Sequence, residues 1–157
     1  MPTTADTSVE FTSFVEEVEP RLSYALAAAY GPEVGREATA DALMYAWEHW
    51  DRISSMDNAA GYLYRVGQTS SKRHRRIGPI APPVTMGRQE PWVEPVLPRV
   101  LGEMPERQRV CVVLIHGMEW TQQEVADLLG VSRTTVERHL ERGMKKLRAG
   151  LEVTTDA

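Results

Sequence analysis

The stretch Thr121–Leu140, TQQEVADLLGVSRTTVERHL, constrains the fold more than any other. Thr121 can cap a helix, and Glu124 three residues on completes a capping box. Val125, Leu128 and Leu129 give that helix an apolar stripe, and Ala126 is small where two helices must touch. Gly130 suits a sharp left-handed turn, Val131 packs in it, and Ser132 caps a second helix. Val136, Leu140, Met144, Leu147 and Leu151 recur at spacings of four, four, three and four, which lines one helix face. The opposite face carries Arg133, Arg138, Arg142, Lys145, Lys146 and Arg148. Such a pair reads as a helix-turn-helix, whose second helix fits a major groove with its N-terminal side chains at base edges. The alternative is an ordinary helical hairpin with a solvated basic face.

A net charge of −4 over 157 residues argues at first against a nucleic-acid partner, but its distribution argues the reverse. Residues 1–60 hold three Arg against eleven acids, a local −8. Residues 61–76 hold five basic side chains and no acid, and residues 132–150 hold six against two acids. Two basic stripes on an acidic chain point to two separate phosphate contacts, because the local field steers binding.

In chain order, residues 1–7 are expected to fray. A first helix starts near Ser8 with Phe11, Phe14, Val15, Val18, Leu22 and Leu26 on its apolar face, and Pro20 should kink or interrupt it. Gly31-Pro32 breaks the chain. A second helix runs from about Pro32 to Asp51, with Leu43, Ala46, Trp47, Trp50 and Ile53 inward and Glu37, Asp41, Glu48 and Arg52 outward. Asp57 or Asn58 can cap a third helix, Ala59 to Arg76, on which Leu63, Val66 and Gly67 point inward. Tyr62 and Tyr64 beside its cations suit stacking on unpaired bases; core tyrosines are the equal alternative. Residues 77–95 contain five prolines and read as an extended linker, in which Trp92 packs on a domain or anchors a partner. A short helix spans Val96–Met104. Pro105 opens a buried one through Val110–Ile115, and Gly117 ends it before the helix-turn-helix. The expected fold is all-α. A helical domain over 8–76 and a helix-turn-helix domain over 96–151 are joined by the Pro-rich linker 77–95.

The same reading excludes several classes. No long uncharged apolar run could span a membrane, and MPTTADTSVE shows no secretory signal, so a cytoplasmic protein without membrane insertion is expected. The single Cys111 lies in VCVVLI and reads as a small buried side chain. His49, His74, His116 and His139 have no metal-ligand spacing, and no phosphate loop, dinucleotide fingerprint or nucleophile elbow is present. No metal, cofactor or protein-borne catalysis is expected.

Two segments together resemble a known family. MPERQRVCVVLIHGMEWTQQEVADLLGVSRTTVERHLERGMKKLRAGL is similar to region 4 of sigma factors of the extracytoplasmic-function group. The matching positions are Pro105, Arg109, Gly117, Glu124, Val125, Ala126, Leu129, Gly130, Ser132, Thr135, Val136, Arg142, Leu147 and Arg148. FVEEVEPRLSYALAAAYG, REATADALMYAWEHWDRI and GYLYRVGQTSSKRHRR resemble region 2. The resemblance implies a protein that joins core RNA polymerase and gives it promoter specificity. Its second helix, with Glu37, Asp41 and Glu48, would bind the β′ clamp. Its C-terminal domain would meet the β flap, and the linker would thread polymerase near its RNA channel. Ser132, Arg133, Thr134, Thr135, Glu137 and Arg138 would face the −35 groove, with Arg142 and Lys146 on phosphate. Arg65, Gln68, Thr69, Lys72, Arg73 and Arg76 would sit near the opened −10 strand. An anti-sigma factor is a further possible partner. Region 2 departs from the family pattern at Glu37, Ala40 and Asp41, where Asp-x-x-Gln-Glu is usual. It departs again at Thr69 and Arg73, where Asn and Asp are usual. Two other readings stand beside this one: a helix-turn-helix regulator whose N-terminal domain binds a protein other than polymerase, and a non-DNA interaction protein.

Overall fold

The computed structural model describes residues 3–74 and 96–155, and every element among them is helical. Helix α1 spans Thr4–Tyr30, four residues earlier than the apolar pattern alone predicts. The cause is local: the Thr3 hydroxyl accepts from the Asp6 amide at 3.2 Å, and the Asp6 carboxylate accepts from the Thr3 amide at 3.3 Å. The predicted interruption at Pro20 does not occur. Pro20 lies on the exposed face, where water can meet the carbonyl it leaves without a donor.

Gly31, at φ 93°, ends α1 in a conformation that a side chain would resist, and Pro32 opens α2, Pro32–Glu48. Small residues then let the two helices lie close. Gly35, Ala38, Ala42 and Ala46 face inward, and a Cβ at Gly35 would fall 2.6 Å from backbone atoms of Ala27. The second helix is shorter than expected, because His49 leaves helical geometry before the single turn α3, Trp50–Ile53. Trp47, expected inward, is 46% exposed and packs tilted against Phe11, with ring centroids 4.9 Å apart. Asn58 caps α4, Ala59–His74, by accepting from the Gly61 amide at 3.1 Å. Leu63, Tyr64 and Gly67 close the first bundle against α1 and α2.

The second group comprises α5 (Leu97–Glu103), α6 (Glu106–Val112), α7 (Gln122–Leu129) and α8 (Arg133–Thr155). A π-helical turn over Val113–Gly117 extends α6. The linker, with Trp92, Arg75 and Arg76, lies outside the described residues. The two groups share one core. Leu22, Ala25, Leu26 and Tyr64 belong to the same buried cluster as Val110, Cys111, Leu114, Val125, Leu128 and Val136. Helix α1 packs on α6 and its π turn, and α4 packs on α7.

Candidate nucleic-acid interface

The helix-turn-helix forms as its local chemistry requires. The Thr121 hydroxyl accepts from the Glu124 amide at 3.1 Å, and Glu124 returns to the Thr121 amide at 3.4 Å. Gly130 takes the left-handed conformation, φ 68° and ψ 35°, with its N–H on the Ala126 carbonyl. Ser132 accepts from the Thr135 amide at 3.1 Å and so caps α8. Val125, Ala126, Leu128 and Val136 are buried beneath.

The opposite face of α8 is open. Ser132, Arg133, Thr134, Glu137, Arg138, Arg142 and Lys146 are exposed, and Thr135 is half-buried. Arg133 meets Glu137 at 3.5 Å, with their side chains 64% and 50% exposed. An exposed pair at this spacing is worth only about 0.3–0.5 kcal/mol, so Arg133 can leave it for a base edge or phosphate at small cost. His139 lies half-buried beside this row. Burial first, then Arg107, Arg142 and Arg138, hold its pKa below the ordinary value.

Two features of α8 escape a periodicity reading. A Cβ at Gly143 would lie 2.7 Å from Val112 Cγ2, and one at Gly150 2.7 Å from Val100 Cγ2. Helices α6 and α5 therefore approach the back of α8 through two glycines seven residues apart. That spacing in an otherwise good helix former was the available signal.

The second basic stripe is arranged differently. Arg65, Thr69, Lys72 and Arg73 are exposed and Gln68 is half-buried, but they do not form one free patch. The Arg65 guanidinium lies over Gly130, so a Cβ there would be 3.1 Å from its Nη2. Arg73 meets Asp41 at 3.5 Å. Asp41 also accepts from the Ser70 hydroxyl and from His74 Nε2 at 2.7 Å, while His74 Nδ1 meets Glu37 at 2.8 Å. These hydrogen bonds, Ser70 first and His74 next, hold the Asp41 carboxyl below its usual range. Glu37 and Asp41, four apart on α2, thus face Ser70 and His74, four apart on α4. The i, i+4 spacing of each pair is the signal for that ladder in the sequence. Glu48 remains exposed on the same helix, which also presents Met44, 65% exposed.

The stacking role for Tyr64 is corrected by burial: it is 1% exposed, and burial pushes its phenol far up. Tyr62 is half-buried in a cluster that composition did not reveal. Its hydroxyl lies 3.2 Å from that of Tyr45, Arg52 lies over both rings, and His49 stacks on Tyr45 at 4.1 Å between centroids. A cation among exposed aromatic edges is chemistry that can hold an unpaired base. No group of three or more His, Cys, Asp or Glu among the described residues could hold a metal ion. No described helix is long and apolar enough to cross a membrane.

Against this geometry, residues 96–147 match the family model described as sigma-70, region 4. A comparison with curated proteins gives no match. Among solved structures, the chain is similar to the sigma factor RpoE of Bartonella quintana, determined as a co-crystal with the anti-sigma factor NepR. The two are 18% identical, with 92% of this chain and 98% of that one covered and a TM-score of 0.64. Both findings agree with the resemblance to sigma factors, one through region 4 and the other through the fold. Residues 96–147 carry the region 4 match, and the chain as a whole has a fold like that of a sigma factor.

Proposed function

We propose that this protein is a transcription initiation factor that joins core RNA polymerase in the cytoplasm and directs it to particular promoters. The observation that carries the reading is the open row Arg133, Arg138, Arg142 and Lys146 on the second helix of a region 4 domain. Ser132 to Arg138 would read the −35 duplex, and Arg142 and Lys146 would hold its phosphates. The division 8–76, 77–95 and 96–151 gives the N-terminal part the −10 element and the polymerase clamp. Arg65, Gln68, Thr69, Lys72, Arg73 and Arg76 would take the opened strand, with Tyr62 for stacking. Glu37, Asp41 and Glu48 would meet the clamp, with Met44 as an apolar contact inside their rim. Each DNA contact is weak alone, and tethering both to polymerase raises the effective concentration of each. The polymerase supplies the chemistry; the chain needs no cofactor. An anti-sigma factor is a fitting regulator, since the RpoE relative is in complex with one.

Purified protein mixed with core polymerase should give promoter-specific transcripts and co-purify with the β′ subunit. Absence of both overturns the reading. One observation favours a second reading: Glu37 and Asp41 are already engaged by α4. A regulator whose N-terminal domain binds another protein would instead bind duplex tightly at physiological salt without polymerase.

A further inference from the structure

Arg109 and His74 are both donors held among several acceptors, but only the histidine can lose its charge in the physiological range. Arg109, 2% exposed, donates to the carbonyl oxygens of Ala28 and Met104, each at 2.7 Å, and of Ala29 at 2.5 Å. These carbonyls close the ends of α1 and α5. A guanidinium stays charged at physiological pH, so this contact does not respond to protons.

His74, at the end of α4, faces α2. Its Nδ1 lies 2.8 Å from Glu37 and its Nε2 2.7 Å from Asp41. A neutral imidazole has one N–H and one lone pair, and here the lone pair would face a carboxylate oxygen. Only the imidazolium donates to both, so the geometry is that of the charged ring. The Ser70 hydroxyl also donates to Asp41, and Arg73 meets it at 3.5 Å. Glu33 stands one turn before Glu37 on the same helix. Helices α1 and α7 also pack on α4, and among the described residues they make no ion pair or hydrogen bond to His74. Two carboxylates thus meet two cations, and loss of the ring proton leaves one net negative charge. Glu37 and Asp41 are still 45% and 35% exposed, so a partner can reach them from solvent.

We propose that the surface of α2 assigned to the polymerase clamp is proton-linked: a proton on His74 competes with a basic partner for Glu37 and Asp41. The inference deepens the sigma-factor reading and rests on it. With the ring charged, an approaching Lys or Arg meets carboxylates that are already neutralised. When the ring gives its proton to water, one nitrogen lets go and its carboxylate is free for the partner. The partner binds more tightly as pH rises through the histidine range, and its binding in turn expels the proton.

Fluorescein-labelled protein titrated with purified core polymerase tests this at about pH 6 and about pH 8, on either side of the ordinary histidine range. The gain in affinity from the lower to the higher pH should be at least about threefold larger for the wild type than for His74→Gln, and at most about tenfold per pH unit for one proton. His49, His116 and His139 titrate in both proteins, so the difference belongs to His74. A pH profile that His74→Gln leaves unchanged overturns the proposal. A second measurement needs no polymerase: proton–nitrogen NMR of the ring, assigned by comparison with His74→Gln. In mildly acidic buffer both the Nδ1–H and the Nε2–H of His74 should give cross-peaks, each sheltered by its carboxylate. Absence of either overturns the bridge. If both are present but no polymerase complex forms at any pH, the proton site stands and the sigma-factor reading fails.

Discussion

On α8 the cations project from a helix whose back is packed and whose front is exposed, with Arg133 paired to Glu137. On α4 two exposed cations have neighbours from elsewhere in the chain: Arg73 meets Asp41 at 3.5 Å, and Arg65 lies near the turn at Gly130. Two stripes of similar charge in the sequence are therefore two different devices. One is presented for rigid docking. The other shares its surface with carboxylates and a turn brought in by the fold. A count of basic residues cannot separate these cases, because the partners of the second stripe come from distant parts of the chain.

That contrast can be broken in order of expected effect. Arg109→Ala should destabilise the fold by about 3 kcal/mol or more, since it leaves buried carbonyls from two helix ends unpaired. Urea unfolding followed by circular dichroism checks this; an unchanged midpoint would mean the two halves are not joined as described. Arg138→Ala should weaken −35 duplex binding by about 1–3 kcal/mol, whereas Arg73→Ala should leave duplex binding unmoved. Equal losses, measured by anisotropy, would erase the distinction between the stripes. Gly130→Ala should cost about 1–2 kcal/mol of stability, because φ 68° is unfavourable for any residue with a Cβ.

Smaller effects sharpen the picture. His139, held down by burial and then by Arg107, Arg142 and Arg138, should titrate below an ordinary histidine in the free protein and move upward on a duplex, whose phosphates offset those cations. Because its folded pKa is depressed, the stability it contributes is present above the unfolded value and lost as pH falls through the folded one. Proton NMR of the imidazole with and without DNA reads both. Glu137→Ala, the mildest change, should cost no more than about 0.5 kcal/mol of stability and should not weaken duplex binding. A substantial loss of affinity would make Glu137 a reader of bases rather than a resting partner of Arg133.

Legibility in the sequence followed the range of the forces involved. The helix-turn-helix was readable because Thr121, Glu124, Gly130 and Ser132 do their work within three or four residues of themselves. The earlier start of α1 was also local, in Thr3 and Asp6, and was missed only because no apolar periodicity accompanies it. Pro20 misled because a rule for buried helix interiors was applied to an exposed face. Tyr64 could be placed only by tertiary packing: it occupies the seam where α4 meets the second group, and spacing alone cannot tell a wet tyrosine from a dry one. Arg109 stood out as a position in a motif, but its meaning did not, because the Ala28 and Ala29 carbonyls lie 81 and 80 residues away.

Gly143 and Gly150 carry one last consequence. A helix seated on two others through a pair of missing side chains has nowhere to roll. Its azimuth is set from behind, so the choice of which arginines look outward belongs to positions no base will ever touch. Adding even a methyl at either one should turn the whole rod by a few degrees and change which letters it spells, with every contact residue still in place.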